Sequence, residues 1–171
     1  MSKHNGIFLI GPMGAGKTTI GKRLAKALKR RFIDCDQELE RRTGARVSLI
    51  FDLEGEAGFR LRERRLIDEL TQIDDIVLAT GGGAVLDAAN RAALISRGFT
   101  VFLFAGLDEL LARTRNDVNR PLLNTDDRAT RLRNILAERA DFYCETARMS
   151  IDTSAFPVTE IVTQIREAFP V

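Results

Sequence analysis

Short apolar runs alternate along the chain with segments in which apolar residues recur at helical spacing. The apolar runs have the length of buried strands and fall at residues 7–10, 31–34, 76–79, 99–104 and 149–152. The segments with helical spacing fall at residues 17–30, 37–42, 47–53, 56–71, 87–98, 107–115, 128–147 and 157–169. Because strands that alternate with helices form βαβ units, the pattern predicts a three-layer α/β fold, in which helices cover both faces of a five-stranded parallel sheet.

Two segments depart from this simple alternation. Several helices stand between the second and third strands, and a polar stretch at 116–127 follows the helix after the fourth strand. The chain of 171 residues is long enough for one domain with a sizeable core and short for two. We therefore interpret both segments as sub-regions around one core, within a single domain that spans residues 1–171.

Composition and charge exclude several kinds of site. The charge is balanced, with 26 basic and 24 acidic residues, and argues neither for nor against a nucleic acid partner. Cys35 and Cys144 form neither a disulfide framework nor a zinc motif, and a single histidine, His4, argues against histidine-based catalysis. The first apolar run is too short for a signal peptide, and no run approaches the ~18 residues of a membrane span. We expect a cytoplasmic protein with reduced thiols.

The segment from Gly11 to Thr18 matches the phosphate-loop pattern G-x-x-x-x-G-K-[ST], with a predicted strand before it and a helix after it. Glycines let successive backbone N–H groups face one anion, and the helix N-terminus adds a positive dipole. Lys17 has the reach for the β- and γ-phosphates of ATP, and the Thr18 hydroxyl is a candidate Mg²⁺ ligand. Gly21, one turn into the helix, predicts a close contact between helix and sheet. The predicted nucleotide-binding residues of the loop are Gly14, Ala15, Gly16, Lys17, Thr18 and Thr19.

The phosphate loop indicates a nucleotide-binding protein, but GTPases and motor ATPases share it with kinases. The N-K-x-D sequence that is typical of guanine recognition is absent from the chain. The size of the chain, close to minimal for such a domain, argues against a motor. These two observations favour a kinase that uses ATP.

Two aspartates flank Cys35 at the end of the second predicted strand. In an extended chain, residues two apart point to the same side, so both Asp34 and Asp36 are expected to face the cleft at the carboxyl edge of the sheet. One carboxylate would hold Mg²⁺ through water, and the other would accept a proton from an attacking hydroxyl group. The alternative is an exposed acidic turn that caps the next helix.

Three further segments are interpreted together with the phosphate loop and the two aspartates. The glycines at 81–83 directly follow a buried strand, where they allow backbone N–H groups to approach a ligand closely. The charged segments 58–63 and 138–143 lie on predicted helices, and each taken alone is more typical of a solvated helix face.

Taken together, six features resemble the shikimate kinase family, whose members phosphorylate the 3-hydroxyl of shikimate. They are the phosphate loop, the Asp34 and Asp36 pair, the segment 55–60, the glycines 81–83, the Arg-Pro-Leu-Leu segment 120–123, and Glu138-Arg139 with Tyr143. They occur in the family's order and near its spacing across almost the whole chain. The resemblance implies a nucleoside-monophosphate-kinase-like fold with strand order 2-3-1-4-5, a helical substrate-binding region at about 36–63 and a lid at about 114–126.

The resemblance also implies roles for residues on the acceptor side. Asp36 would bind the acceptor hydroxyl and deprotonate it. Arg60 and Arg139 would clamp the carboxylate of the substrate. The same pocket would be lined by the backbone of Gly81, Gly82 and Gly83.

On the nucleotide side, the resemblance implies a metal site and an adenine site. Mg²⁺ would be held by Thr18 and, through water, by Asp34. Arg113 and the segment 154–157, which ends at Pro157, would border the adenine.

The segment 114–126 is expected to act as a lid. Pro121 breaks any helix and directs Arg120 toward an extended backbone. A kinase must keep water away from the γ-phosphate, and a closing loop does this while it carries an arginine onto the transferring phosphoryl group. Arg120 is the predicted catalytic arginine, with Leu122 and Leu123 packing as the lid closes. The alternative is a mobile connector.

Three other functions are compatible with parts of this sequence. A kinase for another polyol, such as gluconate, would share the core but would not need two arginines around a triple glycine. A binding module without catalysis would be expected to lose Lys17, Asp36 or Arg120, and all three are present. A nucleic-acid-binding domain would be expected to carry aromatic platforms, whereas the chain has no Trp and one Tyr. The expected partners are ATP and shikimate, without nucleic acid or membrane, and the absence of an apolar heptad seam favours a monomer.

Overall fold

The computed structural model describes residues 5–117, 123 and 127–170. In this part of the chain, five parallel strands form one sheet in the spatial order β2-β3-β1-β4-β5. The strands are β1 (Gly6–Ile10), β2 (Arg31–Asp34), β3 (Ile76–Ala79), β4 (Gly98–Phe104) and β5 (Met149–Asp152). The predicted α/β class, the five strands and the strand order implied by the resemblance are confirmed.

The helices are α1 (Lys17–Leu28), α2 (Cys35–Thr43), α3 (Val47–Leu70), α4 (Ala88–Arg97), α5 (Leu107–Arg113), α6 (Arg128–Thr146) and α7 (Val158–Ala168). A short 3-10 turn, Ala84–Leu86, follows the triple glycine. The two helices predicted at 47–53 and 56–71 are joined into α3, which kinks at Gly55, where the backbone has φ 70° and ψ 180°. Only glycine adopts these angles without strain, so the predicted break is present as a kink.

The sheet separates two apolar cores. Side chains of β1 alternate between them, as the two-residue period of a strand requires. Ile7 and Leu9 belong to the first core, which is packed under α1, α5 and α7. Phe8 and Ile10 belong to the second core, which is packed under α2, α3 and α4.

Gly21 allows α1 to lie close to the sheet, as its position predicts. A Cβ atom at this position would lie 2.5 Å from the ring of Phe32 and 3.2 Å from Leu9. A larger residue would have to displace the Phe32 ring or move α1 away from β1 and β2.

Most of the predicted lid falls outside the described residues, including Arg120, Pro121 and Leu122. Leu123 is described, and its side chain is buried in the first core. Within the described residues, no helix has both the length and the apolar character needed to cross a membrane.

Candidate active site

The phosphate loop connects β1 to α1 at the carboxyl edge of the sheet. Gly11 has φ 147°, and a Cβ atom there would lie 2.0 Å from the Leu103 carbonyl oxygen, so only glycine fits. Gly16, with φ 100°, precedes α1, and no side chain caps this helix. The first N–H groups of α1 are therefore left to an anion, as the motif predicts.

Lys17 and Thr18 begin α1 and turn toward different partners. The Lys17 ammonium donates hydrogen bonds to the carbonyl oxygens of Gly11 and Pro12, at 2.7 and 2.8 Å. The Thr18 hydroxyl donates to Asp34 Oδ2 at 2.6 Å. A hydroxyl and a carboxylate oxygen at hydrogen-bond distance are a donor set suited to Mg²⁺, which takes oxygen ligands and keeps several waters.

The prediction that residues 34–36 are extended is wrong. Asp34 ends β2 and is the N-cap of α2, where its Oδ1 accepts a hydrogen bond from the Gln37 N–H at 3.1 Å. Cys35 and Asp36 already belong to the helix. A short polar side chain at the end of a strand forms an N-cap readily, and this favours an immediate helix over continued extension. Both carboxylates nevertheless line one cavity. Asp34 faces the cleft, as the functional prediction requires, and also caps α2, as the alternative requires.

This cavity has a volume of about 450 Å³ and lies at the carboxyl edge of the sheet. Its wall is made of predicted residues from the phosphate loop, α2 and the triple glycine, together with residues that sequence reasoning did not assign to the site. The predicted residues are Gly14, Ala15, Gly16, Lys17, Thr18, Thr19, Asp34, Asp36, Gly81, Gly82 and Arg113. The unassigned residues are Ile20, Thr80, Thr153, Val158 and Ile161.

At the far end of the cavity, Arg113 ties the phosphate loop to the chain after β5. Its Nη1 donates to the carbonyl oxygen of Gly14 at 3.1 Å and to the Thr153 hydroxyl at 2.9 Å. Val158, the first residue of α7, joins the wall here, whereas Pro157 is exposed and caps α7 without lining the cavity. The apolar contact at this end is therefore made by α7 itself, one residue beyond the predicted segment.

The acceptor side is built around the triple glycine after β3. A Cβ atom at Gly81 would lie 2.8 Å from Glu63 Oε2 and 3.2 Å from Asp36 Oδ1. A Cβ atom at Gly83 would overlap the guanidinium group of Arg60. The glycines therefore leave room for carboxylate and guanidinium groups that lie against the loop, a packing role that the sequence does not predict. The close approach of their N–H groups to a ligand stays a prediction.

The two predicted clamp arginines flank this loop and carry unsatisfied donors. Arg139 on α6 is only 2% exposed, and a Cβ atom at Gly82 would lie 3.4 Å from its Nη1. The Nε and Nη1 atoms of Arg139 and the Nε atom of Arg60 are buried without a hydrogen-bond partner among the described residues. Buried guanidinium donors left without an acceptor are costly, so this arrangement suits an anionic ligand.

Glu63 also lies on the acceptor side, although its segment, 58–63, taken alone is more typical of a solvated helix face. It lies on α3 one turn after Arg60, pairs with Arg60 Nη1 at 2.9 Å, and is only 2% exposed. The signal was present in the sequence, because Glu63 lies four residues after the buried Phe59 and three before the buried Leu66. Helical spacing therefore places it on the apolar face.

Burial raises the pKa of the Glu63 carboxyl to about 7. The negative charge of Asp36 also raises this pKa, while Arg60 and Arg139 oppose the rise. At neutral pH the carboxyl group is therefore close to its point of half-protonation, in contact with the substrate-side glycine Gly81.

We expect the ligand-free protein to lose stability as the pH rises from about 4.5 to about 7. The folded chain keeps a proton on Glu63 that the unfolded chain releases near its ordinary pKa of 4.5, so the stabilisation is complete below that pH and is lost through about 7. At 1.36 kcal/mol per pKa unit, the contribution of Glu63 amounts to roughly 3 kcal/mol. Urea unfolding at a series of pH values measures it.

The variant Glu63→Gln should flatten this pH dependence, because an amide does not titrate. Glu54→Gln is the matched control, since Glu54 lies on the same helix in an exposed ion pair with Arg62. An unchanged slope in Glu63→Gln would show that another group is responsible.

Comparison with known proteins agrees with this geometry. The shikimate kinase family model matches residues 13–170 of the chain. A shikimate kinase of Bordetella pertussis is 54% identical over 159 residues, which cover 93% of this chain and 75% of the relative. A shikimate kinase of Legionella pneumophila is 51% identical over 163 residues, covering 95% and 93%.

Comparison with solved structures indicates the same family. A shikimate kinase from Acinetobacter baumannii, solved in complex with shikimate, superimposes with a TM-score of 0.93 at 44% identity, covering 96% of this chain and 92% of that one. A gluconokinase from Sinorhizobium meliloti, with a TM-score of 0.56 at 18% identity, shares the fold alone. The chain belongs to the shikimate kinase family.

Proposed function

We propose that this protein transfers the γ-phosphoryl group of ATP to the 3-hydroxyl of shikimate, giving shikimate 3-phosphate and ADP on the route to chorismate and the aromatic amino acids. The observation that carries the proposal is the pair of arginines on either side of the triple glycine, the buried Arg139 and the half-buried Arg60, each with a buried Nε atom that has no hydrogen-bond partner among the described residues. Their unsatisfied donors suit one planar carboxylate, which shikimate carries.

The reaction follows from the placement of the groups. The acceptor oxygen attacks the γ-phosphorus, the bond from that phosphorus to the bridging oxygen breaks, and ADP leaves. Asp36, whose carboxylate lies against Gly81, would accept the hydroxyl proton. Lys17 lies in the phosphate loop, where its positive charge meets the charge that develops on the transferring group.

Thr18 and Asp34 are the residues that would hold Mg²⁺, which neutralises charge on the β- and γ-phosphates when it is bound. Arg113 and the start of α7 would border the adenine, with Pro157 just outside the cavity wall. Arg120 keeps its predicted role at the transferring phosphoryl group, although it lies outside the described residues. A monomeric state and a cytoplasmic location also stay predictions.

A coupled assay of ADP release tests the proposal. The enzyme is offered ATP with shikimate, with gluconate and with nucleoside monophosphates, in parallel. Shikimate should support turnover far above the rate without an acceptor, and the others should not. Equal turnover with gluconate would contradict the proposal, since gluconate is the acceptor of the second candidate kinase.

Removing one arginine of the clamp should weaken shikimate binding by about 2–5 kcal/mol, the cost of truncating one partner of a buried charge pair. Arg60→Ala and Arg139→Ala are both expected to behave in this way, with little change in ATP binding. Calorimetric titration with shikimate and, separately, with a non-hydrolysable ATP analogue measures both affinities.

Arg62→Ala is the matched control, because Arg62 lies on the same helix and pairs with Glu54 on the exposed side. It should leave shikimate binding unchanged. A shikimate analogue with a neutral group in place of the carboxylate should be a poor substrate for the wild type. Efficient phosphorylation of that analogue would eliminate the carboxylate clamp.

A further inference from the structure

The peptide between Gly82 and Gly83 lies where the two halves of the site meet. A Cβ atom at Gly82 would lie 3.4 Å from Arg139 Nη1 on one side and 3.3 Å from the Met13 nitrogen of the phosphate loop on the other. At Gly83 it would overlap the guanidinium group of Arg60. The orientation of this one peptide therefore affects both clamp arginines.

The loop holds this peptide as the middle peptide of a turn, which the Ala84 N–H closes onto the Gly81 carbonyl oxygen at 3.1 Å, and turn types I and II differ in the orientation of that middle peptide. Gly81, Gly82 and Gly83 have no positive φ, so their backbone angles are ones that any residue adopts, and three successive glycines lose much conformational entropy on ordering. The anchors from α4 act further along: Asn90 Nδ2 donates to the Ala84 carbonyl at 3.0 Å, beyond the glycines. The carbonyl oxygens of Gly81 and Gly83 accept hydrogen bonds from Ala84 and Leu86 within the loop, so an anchor from outside the loop acts on the Gly82 carbonyl.

Tyr143 on α6 supplies that anchor. Its hydroxyl donates a hydrogen bond to the Gly82 carbonyl oxygen. Its ring is buried and stacks on Phe102 of β4, with ring centroids 4.8 Å apart and 14° between the planes. A trans peptide is planar, with its C=O and N–H pointing in opposite directions, so a fixed Gly82 carbonyl also fixes the direction of the Gly83 N–H.

The phenol also lies beside the clamp. Burial raises the pKa of Tyr143 to about 12, opposed by the charge of Arg139 and by a hydrogen bond with it. The hydroxyl therefore keeps its proton throughout the working range of an enzyme and stays a donor to Gly82. The Gly82 residue whose carbonyl it holds lies against Arg139 Nη1.

We propose that Tyr143 is a positioning residue for the acceptor carboxylate, a role that rests on the proposed function. Its hydroxyl fixes the orientation of the Gly82–Gly83 peptide between Arg60 and Arg139. Both guanidinium groups and the glycine loop then bind the carboxylate in a single geometry. Tyr143 acts through these neighbours and takes no part in phosphoryl transfer.

The variant Tyr143→Phe removes the hydroxyl and keeps the stacked ring. The KM for shikimate should rise roughly 5- to 100-fold, the range for one buried hydrogen-bonding group left unsatisfied. The KM for ATP should stay unchanged. Steady-state kinetics with each substrate varied in turn measure this split.

The matched control is Thr146→Val, one turn further along the same helix. Thr146 is also buried, and its hydroxyl donates to the Phe142 carbonyl within the helix. This variant should lower the melting temperature without changing the KM for shikimate. If Tyr143→Phe behaves like Thr146→Val, the hydroxyl is merely structural and the proposal is overturned.

A second test needs no residue to be removed. Tyr143 is the only tyrosine in the chain, so a fluorinated tyrosine supplied during expression labels this position alone. Ring fluorines lower the pKa of a phenol, and a phenolate cannot donate to a carbonyl oxygen. The labelled enzyme should show a rise in the KM for shikimate at alkaline pH that the unlabelled enzyme lacks, and identical pH profiles would contradict the proposal.

The same experiments separate the two hypotheses. Wild-type turnover of shikimate, measured first, tests the proposed function without reference to Tyr143. If the wild type phosphorylates shikimate and Tyr143→Phe keeps its KM, the positioning role fails alone. If the wild type does not turn over shikimate, the proposed function fails, and the positioning role fails with it.

Discussion

Replacing Lys17 with methionine should abolish turnover while the protein stays folded. Methionine has a similar length and no charge, so the variant loses the ammonium group that now donates to the carbonyl oxygens of Gly11 and Pro12. With nucleotide bound, this group is expected to turn to the phosphates, where it opposes charge that grows in the transition state. The loss should exceed the roughly 10²–10³-fold cost of removing one neutral oxyanion donor.

ADP release under saturating shikimate measures this effect, and circular dichroism verifies the fold. Lys22→Met is the matched control, because it removes the same charge from an exposed position on the same helix, α1. Activity near the wild-type level in Lys17→Met would show that the phosphate-loop assignment is wrong.

Replacing Asp36 with asparagine should lower kcat by roughly 10²–10⁴-fold, the usual range for the loss of a positioned base. Asparagine keeps the shape of the side chain and its contact with Gly81, but its amide cannot take up the hydroxyl proton. Nucleotide affinity should change little, because the Thr18 hydroxyl of the proposed metal site donates to Asp34, whereas Asp36 lies on the acceptor side against Gly81.

Comparison with Asp34→Asn makes this test specific. Asp34→Asn should raise the Mg²⁺ concentration needed for activity, since Asp34 is the proposed metal-side carboxylate. A parallel loss of ATP binding and of activity in Asp36→Asn would place Asp36 at the metal site instead. Titration of both variants with Mg²⁺ at fixed ATP distinguishes the outcomes.

The strands and the phosphate loop could be predicted because their signals are local. A contiguous apolar run such as residues 76–79 is compatible with burial on both faces of a parallel sheet, and all four of these residues are buried. The requirement for Gly11 follows from the motif before any contact is known. The structure adds only the physical reason, which is the Leu103 carbonyl.

The start of α2 and the environment of Glu63 were harder to predict for different reasons. The sequence Asp-Cys-Asp is compatible with an extended chain and with an N-cap, and the packing of α2 against α3 selects the N-cap. Glu63 has a charge that argues for solvent, and its burial depends on Arg60 and on a glycine loop that follows in the chain. Helical spacing places Glu63 on the apolar face, whereas its charge argues against burial, and the groups that make its burial possible are brought to it only by the fold.

The two cores on opposite faces of the sheet give the enzyme a modular design. The helix after the phosphate loop and α7 rest on the first core, whereas Arg60 and Glu63 stand on a helix that rests on the second. A change of acceptor during evolution or in the laboratory can therefore be sought on α3, away from Asp34 at the start of α2 and from Gly82 beside the phosphate loop. A mutant library confined to the α3 residues of the second core, which leaves Phe8, Ile10 and Cys35 unchanged, should retain nucleotide binding in most of its folded members.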